Sequence, residues 1–379
     1  MPKAQEEKKI GILTVHHSVN FGATLQAFAS NRFLRKQGYQ AEVVDYRQDS
    51  LEVNAHLKSN LRASWRNDKN HSFFHRMKLA TYLLFSLPGK AKRYHRFAEF
   101  REKYMNLSEP CSTGQEIGQK GYTHIVCGSD QIWNPAITGG LDPVFFANFP
   151  GDHKKISFAA SMGASSFSNK NLALVETWIN EMDACSVREI QTQEYLSGLV
   201  SVPVEQVLDP VFLLEKEDYE TIMAPSKEKK PYVLLYCVAS SPIAMQAAKE
   251  TAERYGLPLI EIRSSKDYCV GYKQVCNIGP AEFLRYIQDA AYVLTNSFHG
   301  TAFSILLKKN FLVFDNKARG SRITDLLQLG GLSDRLTEGD IRMFNAQIDY
   351  SAVGIRLDAE RKHSRRFLLN ALEAGNEDL

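Results

Sequence analysis

The sequence has 379 residues, of which 44% are hydrophobic and 23% charged, and its formal net charge is +3. This balance is typical of a globular protein and excludes a fibrous or largely disordered chain. The length favours two domains of ordinary size over a single core.

The start of the chain does not resemble an export signal. The residues MPKAQEEKK are charged, and the apolar run IGILTV is too short for the core of a signal peptide. The longest apolar runs, such as YVLLYCVA, have the length of a strand and not of a membrane-spanning helix. We therefore expect a soluble protein located in the cytoplasm.

The first part of the chain predicts a strand, a helix and a second strand. A buried strand is predicted for KIGILTV, and a loop for HHSVNFG. The stretch ATLQAFASNRFLRKQG has apolar residues at helical spacing and ends at Gly38, and YQAEVVDYR is the next strand. Such a β-α-β unit implies parallel strands with a right-handed crossover.

The segment 56–103 is strongly basic. It holds twelve Lys and Arg against three acids, a charge of +9, so the rest of the chain carries about −6 (+3 − 9). We interpret about 56–107 as a basic helical insertion that packs on the N-terminal domain with a solvated basic face. The alternative is peripheral contact of 56–103 with an anionic lipid or lipid-linked substrate at the inner face of the membrane. No nucleic-acid motif is present, so no nucleic-acid partner is expected.

After the basic segment the α/β pattern resumes and then repeats. Strands are predicted at YTHIVCGSDQIWNP, KKISFAASMGAS and VEQVLDPVFLL, with a helix over NKNLALVETWINEMDACSV. The polar segment 215–231 contains two prolines and predicts a connection between domains. We therefore predict an N-terminal domain over 1–214 and a C-terminal domain over 215–379, which ends in a long helix.

The second series alternates strands and helices like the first, from YVLLYCV to DAERKHSRRFLLNALEAG. The fold class is thus α/β, with two Rossmann-like domains facing a cleft. Ligands of such sheets bind outside the carboxyl ends of the strands. This rule selects the loops 16–22, 127–134, 161–165 and 296–300.

Seven sequence blocks resemble one family. They are NFGATLQAFA, CGSDQIWNP, SFAASMGAS, CSVRE, VLDPVF, TNSFHGTAFS and SRITDLL. Their order and spacing, from about residue 9 to about residue 335, are similar to those of the polysaccharide pyruvyl transferase family. The resemblance implies a fold like that of the B-type glycosyltransferases, and transfer of pyruvate from phosphoenolpyruvate (PEP) to sugar hydroxyls as a ketal. It implies PEP and a saccharide or glycolipid acceptor as partners, with no metal and no other cofactor.

His299 is the foremost candidate for catalysis. It lies in a strand-to-helix turn and precedes Gly300, where backbone can approach a ligand. By resemblance it contacts PEP and serves as general acid, a role that suits a side chain titrating near neutral pH. The alternative is a structural histidine in a turn capped by Ser297 or Thr301.

PEP carries a carboxylate and a phosphate, so its site needs arginines. By resemblance Arg188 binds an anion; an ordinary surface ion pair with Glu189 is the alternative. Many family members have an arginine two residues before the histidine, where this chain has Ser297. Arg319 and Arg322 precede the next predicted helix and are candidate replacements, of which we favour Arg322.

The remaining candidates come from three loops. Asp130 suits a base acting on the acceptor hydroxyl and Trp133 suits stacking on a sugar, although a turn cap with a buried tryptophan fits equally well. Asp209 is interpreted as a turn residue. Further candidate substrate-binding residues are Asn20, Gly22, Ser129, Gln131, Ser161 and Gly163, the last two through backbone donors.

Two other functions stay open. A nucleotide-sugar glycosyltransferase on the same fold would need a base-stacking pocket and an acidic ribose ligand in the second domain, for which 261–279 is a weak candidate. A catalytically inert scaffold in polysaccharide assembly is the other. The six cysteines are scattered without a CxxC pair, so neither a zinc site nor a disulfide framework is expected.

Overall fold

The structure is a computed structural model of the chain. It describes residues 8–48, 73–163, 166–264, 271–315 and 322–374, and for residues 73–87 it describes the backbone only. Arg319 lies outside these ranges, and so do residues 56–72 of the predicted basic insertion.

The N-terminal half forms a parallel sheet of six strands in the order β2-β1-β3-β4-β5-β6. All of the pairings between neighbouring strands are parallel. The strands are β1 Lys9–Leu13, β2 Gln40–Val43, β3 His124–Cys127, β4 Lys154–Ala160, β5 Ala184–Val187 and β6 Val204–Gln206.

The C-terminal half forms a second parallel sheet of six strands, in the order β12-β11-β10-β7-β8-β9. The strands are β7 Val233–Tyr236, β8 Leu259–Ile262, β9 Lys273–Val275, β10 Tyr292–Thr295, β11 Asn310–Phe314 and β12 Leu336–Thr337. The predicted fold class, an α/β protein with two Rossmann-like units, is confirmed.

Helices connect the strands of both sheets. In the N-terminal half they are α1 Phe21–Lys36, α2 Phe73–Tyr104, α3 Gly114–Gly118, α4 Pro135–Thr138, α5 Asn169–Asn180 and α6 Ile190–Ser197. After it come α7 Lys216–Glu220, α8 Pro242–Tyr255, α9 Pro280–Asp289, α10 Phe298–Leu306, α11 Arg322–Gly330 and α12 Tyr350–Glu373.

Two predictions about local structure are wrong. The predicted helix NKNLALVETWINEMDACSV ends at Asn180, and its last residues form β5. The predicted strand VEQVLDPVFLL is only three residues long, and a short 3-10 turn, Pro210–Leu213, follows it. Asp209 caps this turn by accepting a hydrogen bond from the backbone N–H of Val211, so the chain leaves the sheet there.

The basic helix α2 joins the two halves of the molecule. Arg93 is 8% exposed, lies over the ring of Phe21 and donates to the backbone oxygen of Arg263 at 3.0 Å. Arg96 forms a 2.6 Å ion pair with Glu282 of α9. These arginines are therefore used in packing between the halves. The prediction of membrane contact falls mainly on side chains before residue 88, outside the described part.

A continuous core also links the halves. The rings of Phe21, at the start of α1, and Phe283, in α9, are stacked with centroids 4.4 Å apart. The end of α12 returns to the first sheet, where Ser364 accepts a hydrogen bond from the backbone N–H of Leu208 at 2.9 Å. The two halves therefore share buried apolar surface, which fixes the edges of the cleft between them.

Candidate active site

A polar cleft lies between the carboxyl ends of the two sheets. The N-terminal half contributes Asn20, Asp130 and Gln131, and the C-terminal half contributes Ser297, His299 and Arg322, among other residues. The loops of residues 16–22, 127–134 and 296–300 were predicted to meet there, and each supplies at least one lining residue.

His299 lies in the first turn of α10. Ser297 is the N-cap of this helix and accepts a hydrogen bond from the backbone N–H of Gly300 at 3.2 Å. No acceptor among the described residues faces the backbone N–H groups of Phe298 and His299. The helix N-terminus therefore offers two free donors beside the cleft, a favourable place for an anion.

Gly300 has a different use from the one predicted. A Cβ at this position would lie 2.3 Å from Oγ1 of Thr295 and 3.1 Å from the ring of Tyr236. Gly300 therefore allows α10 to pack closely on the sheet, and it is not among the residues that line the cleft. Its backbone N–H is already taken by the Ser297 cap.

The N-terminus of α1 faces the same histidine from the other half of the molecule. Asn20 caps α1 by accepting from the backbone N–H groups of Gly22 and Ala23. A Cβ on Gly22 would lie 2.0 Å from Nδ1 of His299. Only glycine therefore admits the imidazole here. Gly22 lies against the ring of His299, at the helix end that the side chain of Asn20 caps.

Behind His299 lies a buried chain of charges. Nε2 of His299 is 3.6 Å from Oδ2 of Asp209, and the same oxygen accepts from Nη1 of Arg188 at 2.6 Å. Arg188 also contacts Glu189 at 3.2 Å, and its guanidinium lies 4.6 Å from the centroid of the Phe298 ring. Arg188 is thus a buried residue, 5% exposed, with an ion pair to Glu189 that is not at the surface.

This arrangement keeps Asp209 and Arg188 charged. Burial alone would raise the pKa of Asp209, but His299, Arg188 and the backbone N–H of Val211 together lower that pKa well below its ordinary value. Burial likewise opposes the charge of Arg188, yet Glu189, Asp209 and Asp130 raise its pKa. The predicted anion site at Arg188 is therefore occupied by the protein's own carboxylates.

Asp130 and Gln131 lie in the cleft, as their prediction requires. Asp130 follows β3 with a positive φ of 66°, and its backbone oxygen accepts from the N–H of Ser161. The side-chain oxygen of Gln131 accepts from Asn134 at 2.6 Å. Gly163 packs against this amide, because a Cβ there would lie 2.2 Å from the Gln131 oxygen.

Three predicted substrate-binding residues are instead part of the core, which corrects their prediction. Trp133 is 0% exposed, donates to the backbone oxygen of Phe145 and stacks on Phe146, so it cannot lie against a sugar. Ser129 donates to the backbone oxygen of Ala159. Ser161 donates to Glu189 at 2.6 Å, and its backbone N–H is used internally as well.

Arg322 begins α11 and is 9% exposed. It lines the cleft together with His299 and Asp130, on the C-terminal side. Ser297 stands where an arginine was expected, and Arg322 is the one arginine among the described residues that line this cleft.

Sequence reasoning missed the part played by Asp209. Its block, VLDPVF, was interpreted as a turn, and the carboxylate does cap a turn with Oδ1. The second oxygen, however, reaches Arg188 and His299. The only signal for this role in the sequence was that Asp209 belongs to one of the seven blocks.

The family of the chain follows from a comparison of sequence profiles. Residues 20–318 match the family of polysaccharide pyruvyl transferases. The chain belongs to this family. The matched region contains Asn20, Asp130, Arg188, Asp209 and His299, whereas Arg322 lies just beyond it. A search among curated proteins gives no significant match.

Several solved structures align with most of this chain at low sequence identity. S. aureus MnaA with UDP is 12% identical with a TM-score of 0.49, over 97% of this chain and 92% of that one. The E. coli ADP-heptose lipopolysaccharide heptosyltransferase II is 12% identical with a TM-score of 0.37, over 94% and 99%. For the Thermobaculum terrenum O-GlcNAc transferase mutant the values are 14% and 0.40; this chain covers 64% of its length.

Two features are absent from the described part of this pyruvyl transferase family member. No described helix combines the length and the apolar character required to cross a bilayer. No group of three His, Cys, Asp or Glu side chains in the described ranges is placed to hold a metal ion.

Proposed function

We propose that this protein transfers the pyruvate moiety of PEP to two hydroxyls of a saccharide or glycolipid acceptor and releases phosphate. The product is a pyruvate ketal on a precursor of a cell-surface polysaccharide. Family membership supports transfer of pyruvate, and the cleft supports the use of a small anionic donor.

One observation carries the proposal. The side chains of His299 and Arg322 line one cleft. Asn20, the N-cap of α1, lines it too, and the backbone N–H groups at the start of α10 that have no acceptor lie beside it. PEP carries a phosphate and a carboxylate, and helix N-termini and arginine are suited to bind both. Asp130, on the opposite side of the cleft, is a carboxylate able to accept a proton.

The chemistry assigns one role to each group. His299 donates a proton to the methylene carbon of PEP, and a sugar hydroxyl adds to C2 as it passes its proton to Asp130. Phosphate then leaves with the C–O bonding electrons, and a second hydroxyl of the sugar adds to C2 as its proton passes to the now neutral His299, which restores the imidazolium. The products are the ketal and inorganic phosphate. No atom is left to be reoxidised, so we propose that no redox cofactor takes part.

The proposed role of Arg322 and of the free backbone N–H groups of α10 is to stabilise negative charge on the donor. We propose that they bind the phosphate, which gains negative charge as its bond to C2 breaks, and therefore stabilise the transition state more than the bound donor.

Ligand-induced stabilisation tests the donor. We expect PEP to raise the melting temperature, since a ligand that binds only the folded state stabilises it, whereas UDP- and GDP-sugars have no such effect. Stabilisation by a nucleotide sugar alone would support the glycosyltransferase alternative. Phosphate release from PEP with candidate glycolipids tests the transfer, and binding of PEP without any release would support an inert scaffold.

A further inference from the structure

Asp209 and His299 come from opposite halves of the molecule. Asp209 follows β6 of the first sheet, and His299 lies in α10 on the second. The Asp209 side chain is 0% exposed, and the two oxygens have separate partners. Oδ1 accepts from the backbone N–H of Val211 at 3.1 Å, whereas Oδ2 faces Arg188 and His299.

The imidazole of His299 has two distinct edges. Nε2 is buried on the Asp209 side and has no hydrogen-bond partner within the described ranges. At 3.6 Å from Oδ2, it needs to move only slightly to donate a hydrogen bond. Nδ1 lies against Gly22, next to Asn20, which lines the cleft. A proton held on Nε2 therefore leaves Nδ1 for exchange with a substrate.

The other charges near His299 belong to four elements. Arg188, after β5, holds Asp209 from behind and is itself paired with Glu189. Asp130, after β3, Asp315, after β11, and Arg322, in α11, line the cleft in front of the ring. Arg188 thus compensates the buried carboxylate and keeps it ionised, and the Asp209 charge adjoins Nε2.

We propose that Asp209 is the positioning residue of His299: its carboxylate accepts a hydrogen bond from the Nε2–H group, directs Nδ1 into the cleft and favours the imidazolium that donates a proton to the substrate. The proposal rests on the function proposed above. Because the carboxylate and the imidazole lie in different halves, the acid is complete only when the two halves are docked as they are here.

Asp209→Asn tests this role. The amide keeps the Oδ1 cap to Val211 but removes the charge beside Nε2. We expect kcat to fall by a factor of about 10² or more with little change in KM for PEP, since loss of a buried aspartate partner of a catalytic histidine can cost up to about 10⁴-fold. We also expect the alkaline limb of the kcat profile to move to lower pH, because the imidazolium loses a neighbouring anion.

Glu189→Gln is the matched control. Glu189 is also buried and contacts the same Arg188, but its partners among the described residues do not include His299. We expect the control to lower the melting temperature as much as Asp209→Asn does while leaving the pH profile in place. Equal profiles for the two variants, or a change confined to KM, would overturn the proposal.

A measurement on the unaltered protein covers the case in which Asp209→Asn fails to fold. In protein labelled with ¹⁵N-histidine, long-range ¹H–¹⁵N spectra report the tautomer of each ring, and His299→Gln identifies the His299 signals. We expect the neutral ring to carry its proton on Nε2; a proton on Nδ1 would overturn the proposal. Absence of phosphate release by the unaltered protein would refute the proposed function alone, because the tautomer is read without turnover.

Discussion

Gly22 and His299 are in van der Waals contact across the cleft, so that a Cβ on Gly22 would lie 2.0 Å from Nδ1 of the imidazole. The clash involves a ring fixed between Gly22 on one side and Asp209 on the other. Gly22→Ala therefore has to displace His299 or separate the two halves of the molecule. We expect phosphate release to fall by a factor of about 10², the scale of a displacement of about 1 Å at a reacting group.

Gly354→Ala is the control for this variant. Gly354 lies inside α12, and a Cβ there would meet no atom within 4 Å. Alanine should raise stability by up to about 1 kcal/mol through helix propensity and leave activity unchanged. Full activity of Gly22→Ala would show that the contact seen here is not needed for turnover.

His299→Ala removes the proposed acid itself. We expect release of phosphate from PEP to be lost. The protein should still fold, because the His299 side chain lies at the cleft and does not belong to the hydrophobic core. Phosphate release and far-UV circular dichroism are measured together. His363→Ala removes a half-exposed histidine of α12 that pairs with Glu205 of β6, and this variant should retain activity. If both variants are active, another residue is the acid.

Arg322→Gln removes the cleft arginine. We expect kcat/KM for PEP to fall by a factor of about 10–100, mainly through kcat, because Arg322 is proposed to stabilise the transition state more than the bound donor and a charge-assisted hydrogen bond contributes about 1.5–3 kcal/mol. Steady-state kinetics with PEP as the varied substrate provide the measurement. Arg342→Gln is the control, because Arg342 is exposed and pairs only with Asp340 among its described partners. An unchanged kcat/KM would assign stabilisation of the phosphate to other residues.

Arg93→Ala probes the contact between α2 and the two halves. The guanidinium contacts the Phe21 ring at 4.7 Å and donates to the backbone oxygen of Arg263. We expect the free energy of unfolding to fall by about 2–3 kcal/mol, from loss of a buried cation–π contact and a charge-assisted hydrogen bond. Urea unfolding is the measurement.

The neighbouring residue Lys92 supplies the comparison for Arg93. It lies on the exposed face of α2, and its replacement by alanine removes one positive charge, as Arg93→Ala does. Lys92→Ala should alter the free energy of unfolding by no more than about 0.5 kcal/mol. Equal effects of the two substitutions would mean that α2 does not hold the halves together through Arg93.

His124 should make stability depend on pH. Burial in β3, helped by Lys8 and Lys154, lowers the pKa of His124 from 6.5 to about 4. The unfolded chain therefore binds a proton at a pH where the folded chain does not, so stability is lost as the pH falls below about 6.5. The loss is at most about 1.4 kcal/mol per pH unit for one group.

Urea unfolding between pH 7.5 and 5 measures this effect. His124→Gln should flatten the decline, because glutamine takes up no proton on unfolding. His363→Gln, at a half-exposed position, should leave the slope as it is in the unaltered protein. An unchanged slope for His124→Gln would place the titrating group elsewhere.

Local patterns in the sequence determined the class of fold and the place of the catalytic candidate. Alternating strands and amphipathic helices predict two α/β units, because these periodicities arise from the backbone of each element alone. Seven short blocks in the right order indicate the family, and the strand-to-helix turn around His299 places that residue at the carboxyl edge of a sheet. The family match and the two parallel sheets confirm these parts.

Tertiary packing decided the rest. Asp209 reaches His299 from another sheet, Gly22 makes room for the ring, and Trp133 is turned into the core. Each of these relationships joins atoms that are distant in sequence or depends on which face of a loop is covered. Spacing along the chain does not carry that information, because a loop residue has no periodicity that assigns it to core or cleft. The contact between Asp209 and His299 exists only once both halves have packed together.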